Sequence, residues 1–283
     1  MDPKLADLLS LLELEQLEVN LFRGESRDIG SPQVFGGQVL GQALTAASAT
    51  VAGRTVHSLH AYFLRRGDFN APIVYQVDRS LDGQSFSNRR VVAIQHGEQI
   101  FNMAASFQIS EEGLDHQIEM PQVPPPEDLQ DSSRPPAELL EKMPPRLRRM
   151  LEQPRPFEYR LAQSSAPSDP RAGPARAVWF RAVGKLPDGE RLHRCLLAYV
   201  SDYFLLETAL LPHGVSITSL VMASLDHAMW FHRPLRVDDW LLYSIESPSA
   251  SGARGFARAG VFSRDGRLVA STAQEGLVRI KRG

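Results

Sequence analysis

The chain has 283 residues, 43% of them hydrophobic, with 31 Lys and Arg against 33 Asp and Glu and a formal net charge of −2. That length holds one large domain or two of ordinary size with ample core material, and the balanced charge excludes nucleic acid or an anionic membrane as the main partner. The single cysteine, Cys195, excludes an intrachain disulfide and sits among apolar helical residues as a small core side chain.

The opening Met1-Asp2-Pro3-Lys4-Leu5 lacks the basic and cleavage regions of a signal peptide. No apolar run reaches the ~18 residues of a membrane span. The closing Ile280-Lys281-Arg282-Gly283 is not a Ser-Lys-Leu address, so a soluble, cytoplasmic protein is expected.

Leu5, Leu8, Leu9, Leu11, Leu12, Leu14 and Leu17 fall near helical spacing and predict an amphipathic helix over 3–18, followed by a strand from Glu18 to Glu25. Gly36 and Gly37 then precede a helix of small residues, 39–47, which a sheet can wrap closely. Their N–H groups at its positive end can receive a carbonyl or phosphate, although a tight turn explains them equally well. Strands are predicted at 56–64, 72–80, 86–95 and 99–108, an antiparallel meander. Proline clusters break residues 119–175, leaving a long ordered crossover with a short helix near 137–152 and a strand near 156–162. The plan then repeats, with a strand at 176–185, a helix at 190–210 and strands at 221–233, 239–247, 253–263 and 267–279.

The repeat extends to residues. Leu59 to Arg66 can be laid on Asp226 to Arg233 without a gap, an offset of 227 − 60 = 167, and the turn glycines Gly97 and Gly266 differ by 266 − 97 = 169. A duplicated helix-plus-meander unit gives an α+β class with an N-terminal unit over 1–118, a Pro-rich connection over 119–175 and a C-terminal unit over 176–283. At the offset of 167, Ser224 corresponds to His57, and no carboxylate occurs in the first-half helix, so one site per chain is expected. Exposed sheet edges in both halves lead us to expect a homodimer or higher homo-oligomer.

Three residues stand out as carriers of chemistry. Asp202 lies within the apolar stripe of Cys195, Tyr199, Leu206 and Ala209, where a carboxylate needs partners and is suited to act as a general base. Ser224 begins the strand Met222–His232 with a small hydroxyl. Alternation puts it on one face with Asp226, Ala228, Trp230 and His232, and Leu225, His227, Met229 and Phe231 on the other. No Gly-x-Ser-x-Gly elbow surrounds Ser224, which argues against a nucleophilic serine. His227 and His232 have no third ligand at metal spacing and are assigned structural hydrogen bonds, and no metal or cofactor is called for. Gln274, beside Glu275 and Gly276, can accept from one group and donate to another.

Gln33-Val34-Phe35-Gly36-Gly37-Gln38, His57-Ser58-Leu59-His60-Ala61-Tyr62-Phe63-Leu64-Arg65, Asp226-His227-Ala228-Met229-Trp230-Phe231-His232-Arg233-Pro234, Ser251-Gly252-Ala253-Arg254-Gly255 and Gln274-Glu275-Gly276, in that order, resemble the acyl-CoA thioesterase II family. The resemblance implies a double hotdog fold and hydrolysis of acyl-CoA to fatty acid and CoA, in fatty acid and lipid metabolism. It further implies that Asp202, Ser224 and Gln274 hold the attacking water and that no covalent intermediate forms. Arg side chains would meet the nucleotide phosphates at the mouth of a tunnel between the halves. Ser224 stands where bacterial members often carry Thr. Two other readings compete: an acyl-CoA-binding hotdog protein with little or no turnover, and a hotdog-type enoyl-CoA hydratase. The hydratase reading wants an Asp and a His five residues apart at a helix start, which neither helix offers.

Overall fold

The computed structural model describes residues 1–31, 33–133, 155–162 and 175–281, and from the intervening stretch 137–141, 143, 145, 148 and 152. Helix α1 (Pro3–Leu12) is started by Asp2, whose carboxylate accepts from the N–H groups of Lys4 (2.8 Å) and Leu5 (3.3 Å), and Leu5, Leu8, Leu11 and Leu12 are buried. It stops earlier than its leucine spacing predicts. Residues Glu15–Glu18 form an edge strand, β1, paired with β2 (Leu21–Gly24), which leaves Leu17 exposed.

Helix α2 (Gly36–Ala49) follows, then β3 (Thr55–Phe63), β4 (Ile73–Asp82), β5 (Phe86–Gln95) and β6 (Glu98–Gln108). Beyond the connection come a short α3 (Ala137–Glu141), β7 (Phe157–Ala162), β8 (Ala175–Ala182), α4 (Glu190–Ser201), α5 (Leu205–Thr208), β9 (Leu220–Ser224), β10 (Asp226–Phe231), β11 (Leu241–Ser251), β12 (Arg254–Ser263) and β13 (Leu268–Ile280). All pair antiparallel in one sheet ordered β1-β2-β4-β5-β6-β3-β10-β13-β12-β11-β8-β7, with β9 also on β13. Read outward from the central β3–β10 pair, the two halves have the same order, as a double hotdog requires. Of the connection, Met120, Val123 and Leu129 pack on a small cluster of Trp179, Trp240 and Phe262, where Trp179 Nε1 donates to the Pro124 carbonyl (2.9 Å). Of the helix predicted near 137–152, Ala137–Glu141 is helical, and most of 142–152 lies outside the described residues, as do residues 163–174 of the connection.

The two long helices occupy the inside of this sheet and run antiparallel. A Cβ on Gly37 would come 2.1 Å from the Tyr199 carbonyl, and one on Gly41 would come 3.3 Å from the Cys195 carbonyl. Glycines one turn apart therefore seat α2 on α4, a helix-to-helix fit rather than the helix-to-sheet fit expected. The two glycines expected to precede the helix form its first turn. The stretch Glu190–His213 is apolar enough to cross a bilayer by composition, with a mean hydropathy of 1.3, yet 61% of that window is buried in the protein. It is also broken: α4 ends at Ser201, and Phe204 takes a left-handed conformation (φ 70°) before α5. The single helix over 190–210 is thus two, with Asp202 at the junction.

The repeat offset is corrected by the pairing. Tyr75 and Tyr243 are both buried, and each points its hydroxyl at its own half's helix, to Gln42 Oε1 (2.7 Å) and to the Ser201 carbonyl (2.8 Å). Their offset is 243 − 75 = 168. The pairs Val56 with Phe107 and Ser224 with Gly276 agree, at 224 − 56 = 168 and 276 − 107 = 169. The gapless offset of 167 lays exposed His60 on buried His227, and in a strand a one-residue slip exchanges the faces.

Replacing Gly37 with Ala drives a methyl into backbone. We expect a loss of about 2–3 kcal/mol from overpacking, larger than the ~1 kcal/mol of helix propensity gained. Gly113→Ala, with nothing within 4 Å, should be neutral in the same thermal unfolding measurement.

Candidate active site

The end of α4 and the start of α2 meet at Asp202. The Gly37 N–H donates to its carboxylate, and a Cβ on Gly36 would lie 2.7 Å from Oδ2. Both glycines are needed because the helix start touches the acid with no room for a side chain. From the sheet, Gln274 Nε2 on β13 donates to Asp202 Oδ1 (3.1 Å) and to Ser224 Oγ (2.8 Å), and Ser224 Oγ on β9 donates to the same Oδ1 (3.3 Å). The three residues singled out in the sequence are therefore in mutual contact.

Ser224 reaches this cluster through a break in its strand. Between the pairs Ser224 with Gly276 and Ala228 with Ala273, three residues (225–227) oppose two (274 and 275), which makes a β-bulge. The Leu225 N–H donates to the Glu275 carbonyl (2.9 Å), the Leu225 carbonyl accepts from Phe63 N–H (2.9 Å), and Asp226 Oδ1 accepts from Glu275 N–H (2.7 Å). The extra residue shifts the alternation by one, so Ser224 turns to the same side as His227, contrary to the uninterrupted alternation expected. Asp226 latches the bulge, and His232 bonds Ser271 Oγ (2.9 Å), a hydrogen bond of the kind expected for it.

Sequence reasoning gave His227 no place in this cluster. It is fully buried, with Nδ1 2.8 Å from Gln274 Oε1 and Nε2 3.0 Å from Ser201 Oγ. Only the bulge brings it to the site, and a bulge leaves no mark in alternation.

Asp202 loses hydration on folding, which raises its pKa from 3.8 to about 6 against the hydrogen bonds from Gln274, Ser224 and Gly37. None of those partners is a cation. Burial lowers the His227 pKa to about 4, so its ring is neutral at pH 7. Beside Ser224 lies a cavity of about 190 Å³ lined by Gly36, Val39, Phe63, Phe101 and Leu225, with Arg65 and Arg66 on its wall. The first half has no equivalent set. The counterparts of Ser224 and Gln274 are Val56 (224 − 168) and Ala105 (274 − 169), so Val56 replaces the expected His57. At the end of α2 stands Thr50, bonded by buried Arg89 (2.9 Å from Nε), while the Val56 carbonyl accepts from buried Arg194. Among the described residues no group of three His, Cys, Asp or Glu is placed to hold a metal ion.

A carboxylate whose pKa is raised in the fold contributes stability that is full below pH 3.8 and lost as pH rises through about 6. That loss amounts to about 3 kcal/mol above pH 7. Thermal unfolding of Asp202→Asn should therefore gain on the wild type between pH 4 and pH 8, and a pH-independent difference would contradict the raised pKa.

The family described as acyl-CoA thioesterase N-terminal domain matches residues 23–108, and the family described as acyl-CoA thioesterase matches residues 151–277. The chain is 43% identical to acyl-CoA thioesterase 2 of Haemophilus influenzae over 97% of its own length and 98% of that protein's. Its structure resembles that of the acyl-CoA thioesterase II TesB2 of Mycobacterium marinum, with a TM-score of 0.83 and 44% identity over 98% of this chain and 99% of that one. A hot dog fold protein from Alicyclobacillus acidocaldarius superposes with a TM-score of 0.76 at 20% identity, over 98% of this chain and 99% of that chain, a likeness of fold. On these matches, which span both halves, and on the double hotdog architecture, the chain belongs to the acyl-CoA thioesterase family.

Proposed function

We propose that the protein hydrolyses acyl-CoA thioesters to free fatty acid and CoA by direct attack of a water molecule activated at Asp202. The observation that carries this reading is the Asp202–Ser224–Gln274 cluster. It joins an ionisable carboxylate of raised pKa to two neutral groups that can fix a water. A carboxylate with pKa about 6 is mostly ionised at pH 7 yet basic enough to take a proton from water as it attacks the thioester carbonyl. The tetrahedral intermediate then expels the CoA thiolate, and the proton held by Asp202 is available to it. In this reading the nucleophile is water, with Ser224 and Asp202 holding and deprotonating it, and no acyl-enzyme forms.

The Gly37 N–H is committed to Asp202, so the N–H of Gly36, the first residue of α2 and part of the cavity lining, is the candidate donor to the developing oxyanion. Arg65 and Arg66 on the cavity wall suit the phosphates of the CoA nucleotide. The lengthwise fit of the acyl chain follows the apolar walls Val39, Phe63 and Phe101.

Thiol release from acyl-CoAs of short to long chain tests the reading directly. Asp202→Ala and Gln274→Ala should each lower kcat by about a hundredfold or more while the protein stays folded. Full kcat in folded Asp202→Ala would sink the assignment. Ser224→Thr keeps the hydroxyl and should stay within about threefold of wild type. The general base must be ionised, so kcat should fall on the acid side with a midpoint near pH 6 and level off above it.

A further inference from the structure

We propose that His227 is a positioning residue for hydrolysis: its Nδ1–H holds the Gln274 amide oxygen, so that both amide hydrogens are presented to Asp202 and Ser224. The inference rests on the thioesterase reading above and deepens it by adding a residue that never touches substrate.

The argument is one of hydrogen-bond direction. A glutamine side chain has one accepting and one donating end, and a half-turn of the amide exchanges them. Gln274 Nε2 lies 3.1 Å from Asp202 Oδ1 and 2.8 Å from Ser224 Oγ, while Oε1 lies 2.8 Å from His227 Nδ1. The reversed amide would set its oxygen against the carboxylate, two acceptors in contact. An amide oxygen only accepts, so Nδ1 carries the ring's hydrogen. Ser201 Oγ donates to the Ala198 carbonyl (2.9 Å) and lies 3.0 Å from Nε2; with the ring hydrogen on Nδ1, that single hydroxyl hydrogen turns from the carbonyl to Nε2. Burial keeps the ring neutral, which this pattern of one donating and one accepting nitrogen requires.

The duplication supplies an independent observation. The first-half counterpart of His227 is Leu59 (227 − 168), and that of Gln274 is Ala105, both buried. The first-half strand, bulged at the same place, fills this inward position with an aliphatic side chain. The imidazole occurs only in the half that has the glutamine.

Two variants separate positioning from packing. His227→Asn keeps an N–H near the place of Nδ1, and His227→Leu fills the space without one. With hexanoyl-CoA and palmitoyl-CoA as probes, His227→Leu should lose about a hundredfold in kcat with KM within about threefold, and His227→Asn should recover to within about fivefold of wild type. The Leu variant should also move the acid limb of the kcat profile to higher pH, since Asp202 loses a donor, while the Asn variant leaves it in place. In a Gln274→Ala background, His227→Leu should cost less than about twofold further. Unchanged kcat and pH profile in folded His227→Leu, or an equally large loss in the Gln274→Ala background, would overturn the assignment. Ring ¹⁵N shifts of the wild-type protein give a reading that needs neither turnover nor a folded variant. A neutral Nδ1–H ring at pH 7 supports the proposal, and an Nε2–H or doubly protonated ring refutes it. If the wild type releases no thiol from any acyl-CoA, the thioesterase reading fails while the ring tautomer still reports on the contact itself.

Discussion

The contact between Gly37 of α2 and the Tyr199 carbonyl of α4 fixes the molecule's geometry. At that separation no side chain fits between the helices, and the start of one is held against the end of the other. Everything at the site follows from this closeness: Asp202 caps the end of α4, the Gly37 N–H reaches its carboxylate, and the curved sheet brings Ser224 and Gln274 from the remaining side. A helix start carries partial positive charge and a helix end partial negative charge, so the antiparallel arrangement also lets each helix compensate the other.

The chemistry of the surroundings is selective in what it leaves out. An arginine or lysine beside Asp202 would hold the acid firmly ionised and make it a poor base. Its partners are instead an amide, a hydroxyl and a backbone N–H, which orient the carboxylate without neutralising it, while burial works in the opposite direction. The cations of this region are placed elsewhere: buried Arg89 and Arg194 bond Thr50 and the Val56 carbonyl, the matching positions of the first half, and Arg65 and Arg66 stand on the cavity wall.

Much of this was legible in the sequence because strands and turns announce themselves locally. The meanders were placed to within a few residues, and Asp202, Ser224 and Gln274 were marked by polar groups in apolar settings together with the family motifs. Three features were not legible. The split of the 190–210 helix depends on Phe204 adopting a conformation that bulky residues rarely take. The partnership of Gly37 and Gly41 with another helix is a long-range fit, and the sequence shows only that they are small. The bulge at residues 225–227 shifts the phase of the alternation between Ser224 and His227, so uninterrupted alternation puts Ser224 on the face opposite His227 when the two share the inner side. Composition carries no record of such a slip, because it is fixed by the partner strand.

The duplicated architecture has a further meaning when the origin of each atom at the site is followed. Gly36 and Gly37 come from the first half, and Asp202, Ser224, His227 and Gln274 from the second. Two identical single-unit chains would have to carry every one of these residues in both copies, together with whatever each copy needed for packing. Joining the copies in one polypeptide removes that symmetry constraint. One half can keep the acid while the other fills its own vacated position with Val56, Ala105 and Thr50, and the covalent link guarantees that unlike halves always meet. The chain thus behaves as an obligate heterodimer whose subunits are made in equal number and cannot exchange.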